Sequence, residues 1–557
     1  MQNRSLNPAG HERQNKNKHL EISCLKLIFL TSIFLVAFDN FAFYKNVTEV
    51  YPVSISNIGF LCSISVVLIS VLVLLSSFFC FKYTTKPILI AILLLSSLAS
   101  YFMNNYNIVI DETMIQNTIE TNTGEVFDLL NIKLFSYLLF AGILPSIIIY
   151  KIKIKYRSFK KELLSRLLVI PGSLIIIIIA AFPLSDYYTS FLREHKPLRY
   201  YTNPAYFLFS TGKFIAQSLQ GGAKIITPIG EDAKIPETDV DRELIILVVG
   251  EAVRANRLHM NGYERETTPL IEKEEIINFP EMYSCATTTS ISIPCMFSNL
   301  TRGGYSDNKA QSTYNILDVL TTAGVNILWR ENNSSSKGVA ERVTYEDYKT
   351  PEKNTICDPE CRDEGMLVGL QDYIDSKISG DILIVLHQMG NHGPAYYKRY
   401  PEAFEKFTPV CKTSQLEECS PEEISNAYDN AVLYTDYFLS KVIALLKENP
   451  QFEAAMFYLS DHGESLGENS IYLHGLPYFM APENQKHIPA IMWFGDRFNI
   501  DRNKMREVAG EQYSQDNLFH TLLGLMEVET SVYDKDMDII NYATVSMSEE
   551  LQSKERN

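Results

Sequence analysis

AAMFYLSDHGE, residues 454–464, runs seven residues without a charge and then places Asp461 and His462 side by side. A short, uninterrupted apolar run of this kind reads as a strand covered on both faces, the pattern of a buried parallel sheet. Four more runs read the same way: ELIILVVG (243–250), GVNILWR (324–330), DILIVLH (381–387) and IPAIMWFG (488–495). The longer stretches between them, such as 422–447 and 515–526, are amphipathic and read as helices. Strands alternating with helices predict a mostly parallel central sheet flanked by helices.

The residues just past these strands carry the chemistry. The first strand leads into Glu251, the third into His387 and then His392, the fourth into Asp461 and His462. Open parallel sheets bind ligands beyond the carboxyl ends of their strands, so residues far apart in sequence converge on one rim. Carboxylate and imidazole ligands together suit Zn²⁺. A nucleophile is available in Cys285-Ala-Thr-Thr-Thr-Ser-Ile-Ser-Ile-Pro-Cys295. A hydroxyl is a weak nucleophile until a metal or base activates it. Spacing leaves Thr287, Thr288, Thr289 and Ser290 as equal candidates, and Pro294 leaves the start of a following helix open.

The chain has 557 residues and a net charge of -16, which argues against a nucleic-acid partner. Its hydrophobic content of 46% hides a sharp division. Five segments near 24–44, 58–82, 87–103, 132–150 and 168–188 are long and apolar enough to span a bilayer. KIKIKYRSFKKELLSR (151–166) is strongly cationic, whereas 104–131 carries Asp111, Glu112, Glu120, Glu125 and Asp128 with no Lys or Arg. Positive loops stay inside, so the fifth crossing delivers the C-terminal part outside. Six of the nine cysteines lie in that part, in the close pairs Cys285/Cys295, Cys357/Cys361 and Cys411/Cys419. Disulfides across these shortest closures would persist only in an oxidising compartment, which is the same side. In MIQNTIETNTGE (114–125), Asn117, Thr121 and Glu125 recur every fourth residue and would share one helix face at the membrane surface.

These segments resemble the lipid A phosphoethanolamine transferases, polymyxin-resistance enzymes included, within the alkaline-phosphatase/sulfatase superfamily. VVGEAVRANRLHMNGYERETTP (248–269) is similar to the family's first metal motif, with Glu251 as ligand. SCATTTSISIPCMFS (284–298) resembles its nucleophile loop, in which the threonine four residues after the first cysteine is here Thr289. WRENNSSSKGV (329–339) matches the segment giving Asn333 and Lys337 to the phosphate pocket, and HQMGNHGPAYYKRYP (387–401) gives His392. YLSDHGESLGE (458–468) supplies the ligands Asp461 and His462, and YLHGLPY (472–478) the pocket residue His474. Asn117, Thr121 and Glu125 match the family's lipid-headgroup positions. The chain departs from the pattern at Ala252 and Ala286, where the family often has a hydroxyl residue and a glycine.

The resemblance implies a five-helix membrane domain (21–190), a connector at the membrane surface (191–240) and a periplasmic sulfatase-like catalytic domain (241–545). Residues 1–20 are expected to be a disordered cytoplasmic segment and 546–557 a tail. It implies one Zn²⁺ held by Glu251, Thr289, Asp461 and His462, with a second left open. Lys337, His392 and His474 would serve catalysis as well as phosphate binding. The implied enzyme is a monomer of the bacterial inner membrane. It would move phosphoethanolamine from phosphatidylethanolamine, through Thr289, to lipid A or a lipopolysaccharide-core sugar. The alternatives are a lipoteichoic-acid-synthase-like glycerol phosphotransferase, a simple phosphatase or sulfatase, and a non-catalytic membrane sensor or scaffold.

Overall fold

The computed structural model describes residues 21–120, 123–156, 158–220 and 226–543. Both expected terminal tails, Thr121 and the loop cation Arg157 lie outside these residues. The chain forms two compact units. One comprises the residues up to 101 together with 133–205; the other comprises 102–132 together with 206 onward.

Among the described residues, Ile58–Phe79, Thr85–Tyr106, Ile132–Lys151 and Lys160–Arg193 are long and apolar enough to cross a membrane. A fifth candidate is a bent pair, Cys24–Phe38 and Phe41–Val50, with a 58° angle between its helices. The single straight crossing expected at 24–44 is therefore broken, and polar side chains explain where. Asn40 Nδ2 donates to Leu35 O at 2.9 Å, and Asn203 reaches in, its N donating to Asn40 Oδ1 (2.9 Å) and its Nδ2 to Asp39 O (3.0 Å). Amide groups thus replace helical hydrogen bonds at the kink. The last span also begins earlier than the expected residue 168, because the helix starts at Phe159. It takes in Arg166, which is buried and donates to the carbonyls of Ser77 and Cys80. Ile175, Ile176, Ile178, Ile179 and Phe182 on this span are exposed, an apolar surface suited to lipid.

The second unit is built on an eight-stranded sheet. In chain order its strands are β1 (Glu243–Gly250), β2 (Ile276–Tyr283), β3 (Asn326–Glu331), β4 (Thr344–Asp347), β5 (Ile382–His387), β6 (Glu453–Ser460), β7 (His487–Phe494) and β8 (Tyr513–Ser514). They lie side by side as β8-β2-β7-β6-β1-β5-β3-β4. The group β6-β1-β5-β3-β4 pairs in parallel throughout, as does β8 with β2, and β7 runs antiparallel to both β6 and β2. Every residue of β1, β5 and β6 is buried. Ile245, Leu247 and Val249 face a core containing Phe519 and Leu522, while Leu244, Ile246 and Val248 face one containing Tyr428, Phe438 and Val442. Helices on both faces account for the absence of polar alternation in these strands.

The second core belongs to the helix Pro421–Lys447, started by a capping box between Ser420 and Glu423 with Pro421 in the first turn. Three disulfides close at Cys285–Cys295, Cys357–Cys361 and Cys411–Cys419. The acidic segment after the third span packs with this unit: Asp128 pairs with Lys398 and with Arg399 (3.4 Å), and Tyr106 Oη donates to Ser414 O at 3.2 Å.

Candidate active site

The carboxyl ends of β1 and β6 lie next to each other, and the residues just past them converge. Glu251, Asp461 and His462 are all fully buried, and one ligand atom from each falls within 4.8 Å of the others. His462 Nε2 stands 3.4 Å from Glu251 Oε1 and 3.3 Å from Asp461 Oδ2. His462 Nδ1 lies 2.8 Å from Gly463 O, so that nitrogen carries the proton and Nε2 turns a lone pair to the carboxylates. Asp461 Oδ1 accepts from the amides of His462 (2.7 Å) and Ala252 (3.0 Å). Ala252 reaches it from left-handed backbone, with φ of 57°. An alanine held there signals a conformation imposed by the site.

Two buried oxygens, Glu251 Oε1 and Asp461 Oδ2, have no hydrogen-bond partner. Burial, and next the facing Asp461, push the Glu251 carboxyl well above its ordinary range, while burial holds His462 below its own. Orphaned carboxylate oxygens beside a neutral imidazole lone pair form an incomplete charge arrangement that a divalent cation completes. The donor set fits Zn²⁺.

Thr289 opens the helix Thr289–Met296, which runs on through Pro294. Its Oγ1 donates to Glu251 Oε2 at 3.1 Å and lies 3.3 Å from His462 Nε2. The neighbouring hydroxyls face elsewhere. Thr287 donates to Leu476 O at 2.6 Å, and Thr288 lies 3.4 Å from Ser290 Oγ. Of the four hydroxyls left open by spacing, Thr289 is the one against the cluster. The loop is pinned from a distance by Gln515, which accepts from Cys285 N and Ser292 Oγ (both 2.7 Å) and donates to Asp461 O (2.7 Å).

Around this centre stand three of the expected pocket residues, Asn333, His392 and His474. Asn333 Nδ2 donates to Glu251 Oε2 (2.7 Å) and to Gln388 O (2.9 Å). The His474 ring lies 4.2 Å from the His462 ring and 5.8 Å from the His392 ring. His474 Nδ1 is 3.2 Å from Glu464 Oε2. Burial lowers His474 to about 4; burial, then Arg399, then the nearby histidines and Lys337, hold His392 well below its usual value. Both are therefore neutral at neutral pH. His392 Nδ1 is buried without a partner. Gly390, with φ of 49°, passes so near Glu251 that a Cβ would sit 2.9 Å from the Glu251 carbonyl oxygen.

His387 is not in this cluster. It is fully buried and pairs with Glu331 at 2.9 Å; Glu331 in turn accepts from Asn333 N at 2.8 Å. Glu331, Glu464 and Gln515 escaped the reading of the sequence. Glu464 alone had a signal there, three residues past Asp461 in DHGE. Asn117 lies on the helix Glu112–Glu120, which packs against the Thr289 helix and whose Met114 side chain reaches Gly475, beside His474. Asp111 and Thr113 line a cavity of about 190 Å³ with Thr287, Thr288 and Tyr478. Thr121 and the side chain of Glu125 fall outside the described residues.

A family model described as Sulfatase matches residues 243–528, and one described as Phosphoethanolamine transferase EptA/EptB matches 68–219. The chain is 42% identical to the phosphatidylethanolamine transferase Mcr-2 of Escherichia coli, over 84% of this chain and 89% of that one. It is 37% identical to the phosphoethanolamine transferase EptA of Escherichia coli K12, over 94% and 97%. The solved integral membrane lipooligosaccharide phosphoethanolamine transferase A of Neisseria meningitidis superposes with a TM-score of 0.90 at 34% identity, covering 95% of this chain and all of that one. This chain belongs to the phosphoethanolamine transferase family.

Proposed function

We propose that this multi-pass inner-membrane protein, with its sulfatase-like domain in the periplasm, transfers phosphoethanolamine from phosphatidylethanolamine to a lipopolysaccharide acceptor, a lipid A phosphate or an inner-core sugar. Transfer proceeds in two steps through a phosphoethanolamine ester on Thr289. The observation that carries this reading is Thr289 Oγ1 at 3.1 Å from Glu251 and 3.3 Å from His462, against two buried carboxylate oxygens that lack partners.

Thr289 Oγ1 attacks the phosphorus, the bond from phosphorus to the diacylglycerol oxygen breaks, and diacylglycerol leaves with a proton. The acceptor oxygen then displaces Thr289, which recovers its proton. Zn²⁺ held by Glu251, Asp461, His462 and the Thr289 oxygen would supply positive charge that activates the hydroxyl and offsets charge on the phosphoryl oxygens. Asn333 fixes Glu251, and Glu251 Oε2 aims the threonine by accepting its hydrogen bond. Neutral His392 and His474 accept and return protons as the leaving and attacking oxygens change charge. Lys337 adds a cation for the phosphate.

Mass spectrometry of lipopolysaccharide, split into lipid A and core, from cells expressing wild type or Thr289→Ala tests this. A phosphoethanolamine increment in one fraction, absent with the variant, is expected and names the acceptor. No increment from folded wild type in the membrane sinks the proposal.

A further inference from the structure

The amino ends of the same central strands hold a second buried acidic group, far from the catalytic rim. Glu243 opens β1 and Glu453 opens β6, and the two are direct register partners. Asp381 immediately precedes β5, which pairs with β1 through Leu244 and Ile382, so Asp381 takes the equivalent place on the other side of Glu243. Three carboxylates thus stand in a row on adjacent strands. Like charges directly opposite one another destabilise a sheet. Asp239 and Glu527 complete the set. Ligand oxygens of Asp239, Glu243 and Asp381 lie within 4.8 Å of one another, as do those of Glu243, Glu453 and Glu527.

Among the described residues, no lysine or arginine forms an ion pair with this group; Arg242 and Arg497 act on Asp381 and Glu453 only from longer range. Glu243 is 1% exposed and Asp381 3%, yet Glu243 Oε2, Asp381 Oδ2 and Asp239 Oδ2 are buried without a partner. Asp381 Oδ1 accepts from Glu243 N and Glu453 Oε2 from Asn499 N, both at 3.2 Å. The nearby guanidiniums are committed elsewhere. Arg242 donates to Lys377 O and Gly380 O and stacks over Phe452, and Arg497 pairs with Asp241. Burial, then the facing Asp381 through its charge and a side-chain hydrogen bond, raise Glu243 above the ordinary carboxylate range, so a cation here would displace a shared proton.

We propose that Asp239, Glu243 and Asp381, with Glu453 and Glu527 adding negative charge on the other side of Glu243, form a structural binding site for a hard divalent cation, Ca²⁺, that ties the starts of β1 and β5 together. The set contains carboxylate oxygens and no imidazole or thiolate, which favours Ca²⁺ over Zn²⁺. Glu243 belongs to both triads and is the central ligand. Glu251 lies eight residues further along the strand direction, about 26 Å away, so the ion takes no part in transfer.

The test uses the full-length, zinc-loaded protein in detergent and calcium-free buffer. Equilibrium dialysis counts bound Ca²⁺, and a thermal melt follows stability. One Ca²⁺ per chain is expected, with a Kd on the order of 10⁻⁴ to 10⁻³ M, as in extracellular modules, and a melting temperature that rises with calcium. Glu243→Gln and Asp381→Asn should each weaken binding at least about tenfold and remove the rise, whereas Glu251→Gln should keep both. If a buried variant fails to fold, Asp239→Asn, at the half-buried edge of the group, should still raise the Kd. Absence of stoichiometric binding to wild type up to about 10 mM would overturn the proposal, leaving shared protons to hold the group. So would a response lost in Glu251→Gln and retained in Glu243→Gln.

Discussion

The two ends of the central sheet pose the same electrostatic problem with different chemistry. At the carboxyl end, Glu251 and Asp461 leave buried oxygens unpartnered beside the Nε2 of His462 and the hydroxyl of Thr289. At the amino end, Glu243 and Asp381 do so among further carboxylates. Mixed nitrogen and oxygen donors with a nucleophile against them make a reactive site; oxygen donors alone make a clamp. Under the two proposals, buried carboxylates hold a cation at either end, and the groups beside them decide what the cation is for.

Four experiments test that contrast. Thr289→Ala should cost the most: transfer falls by roughly 10³-fold or more while the melting temperature barely moves, as measured by turnover of a fluorescent phosphatidylethanolamine. Zinc removal should likewise abolish turnover, and Zn²⁺ should restore it where Ca²⁺ does not; rescue by calcium would erase the distinction between the two ends. Asn333→Ala should lower kcat by about 10- to 100-fold, because Glu251 loses the amide that holds it and zinc affinity falls with it. Glu243→Gln should change kcat by less than about threefold while altering the calcium dependence of the melt; a large loss of turnover would couple the two ends after all.

Much of the catalytic domain was legible because both faces of its central strands are covered. β1, β5 and β6 read as unbroken apolar runs for that reason, and the clustered Glu251, Asp461 and His462 come directly after β1 and β6 in sequence. β2 was invisible: its residues alternate between buried and half-buried, and Pro280 interrupts it. β4 is an exposed edge of four residues. The break at Asp39 and Asn40 depends on Asn203, which is 163 positions from Asn40, so no local pattern announces it. Gln515 and Glu331 support the site through contacts that only the fold creates. The amino-end acids were hidden in the same way, since Glu243, Asp381 and Glu453 read singly as ordinary strand flanks.

The loop 104–131 is instructive in another way. Counted from hydropathy, it is a connector of the membrane domain, yet its contacts place it with the catalytic unit, against the Thr289 helix. Hydropathy records which residues avoid water and says nothing of which surface a polar loop packs on.

The most direct test of the account is to trap the intermediate. Purified full-length protein is incubated with phosphatidylethanolamine without acceptor, digested and analysed by peptide mass spectrometry. One added phosphoethanolamine is expected on the peptide containing Thr289, dependent on zinc and lost in Glu251→Gln. The same addition on Thr287, Thr288 or Ser290, or turnover to acceptor with no covalent adduct at any residue, would contradict it.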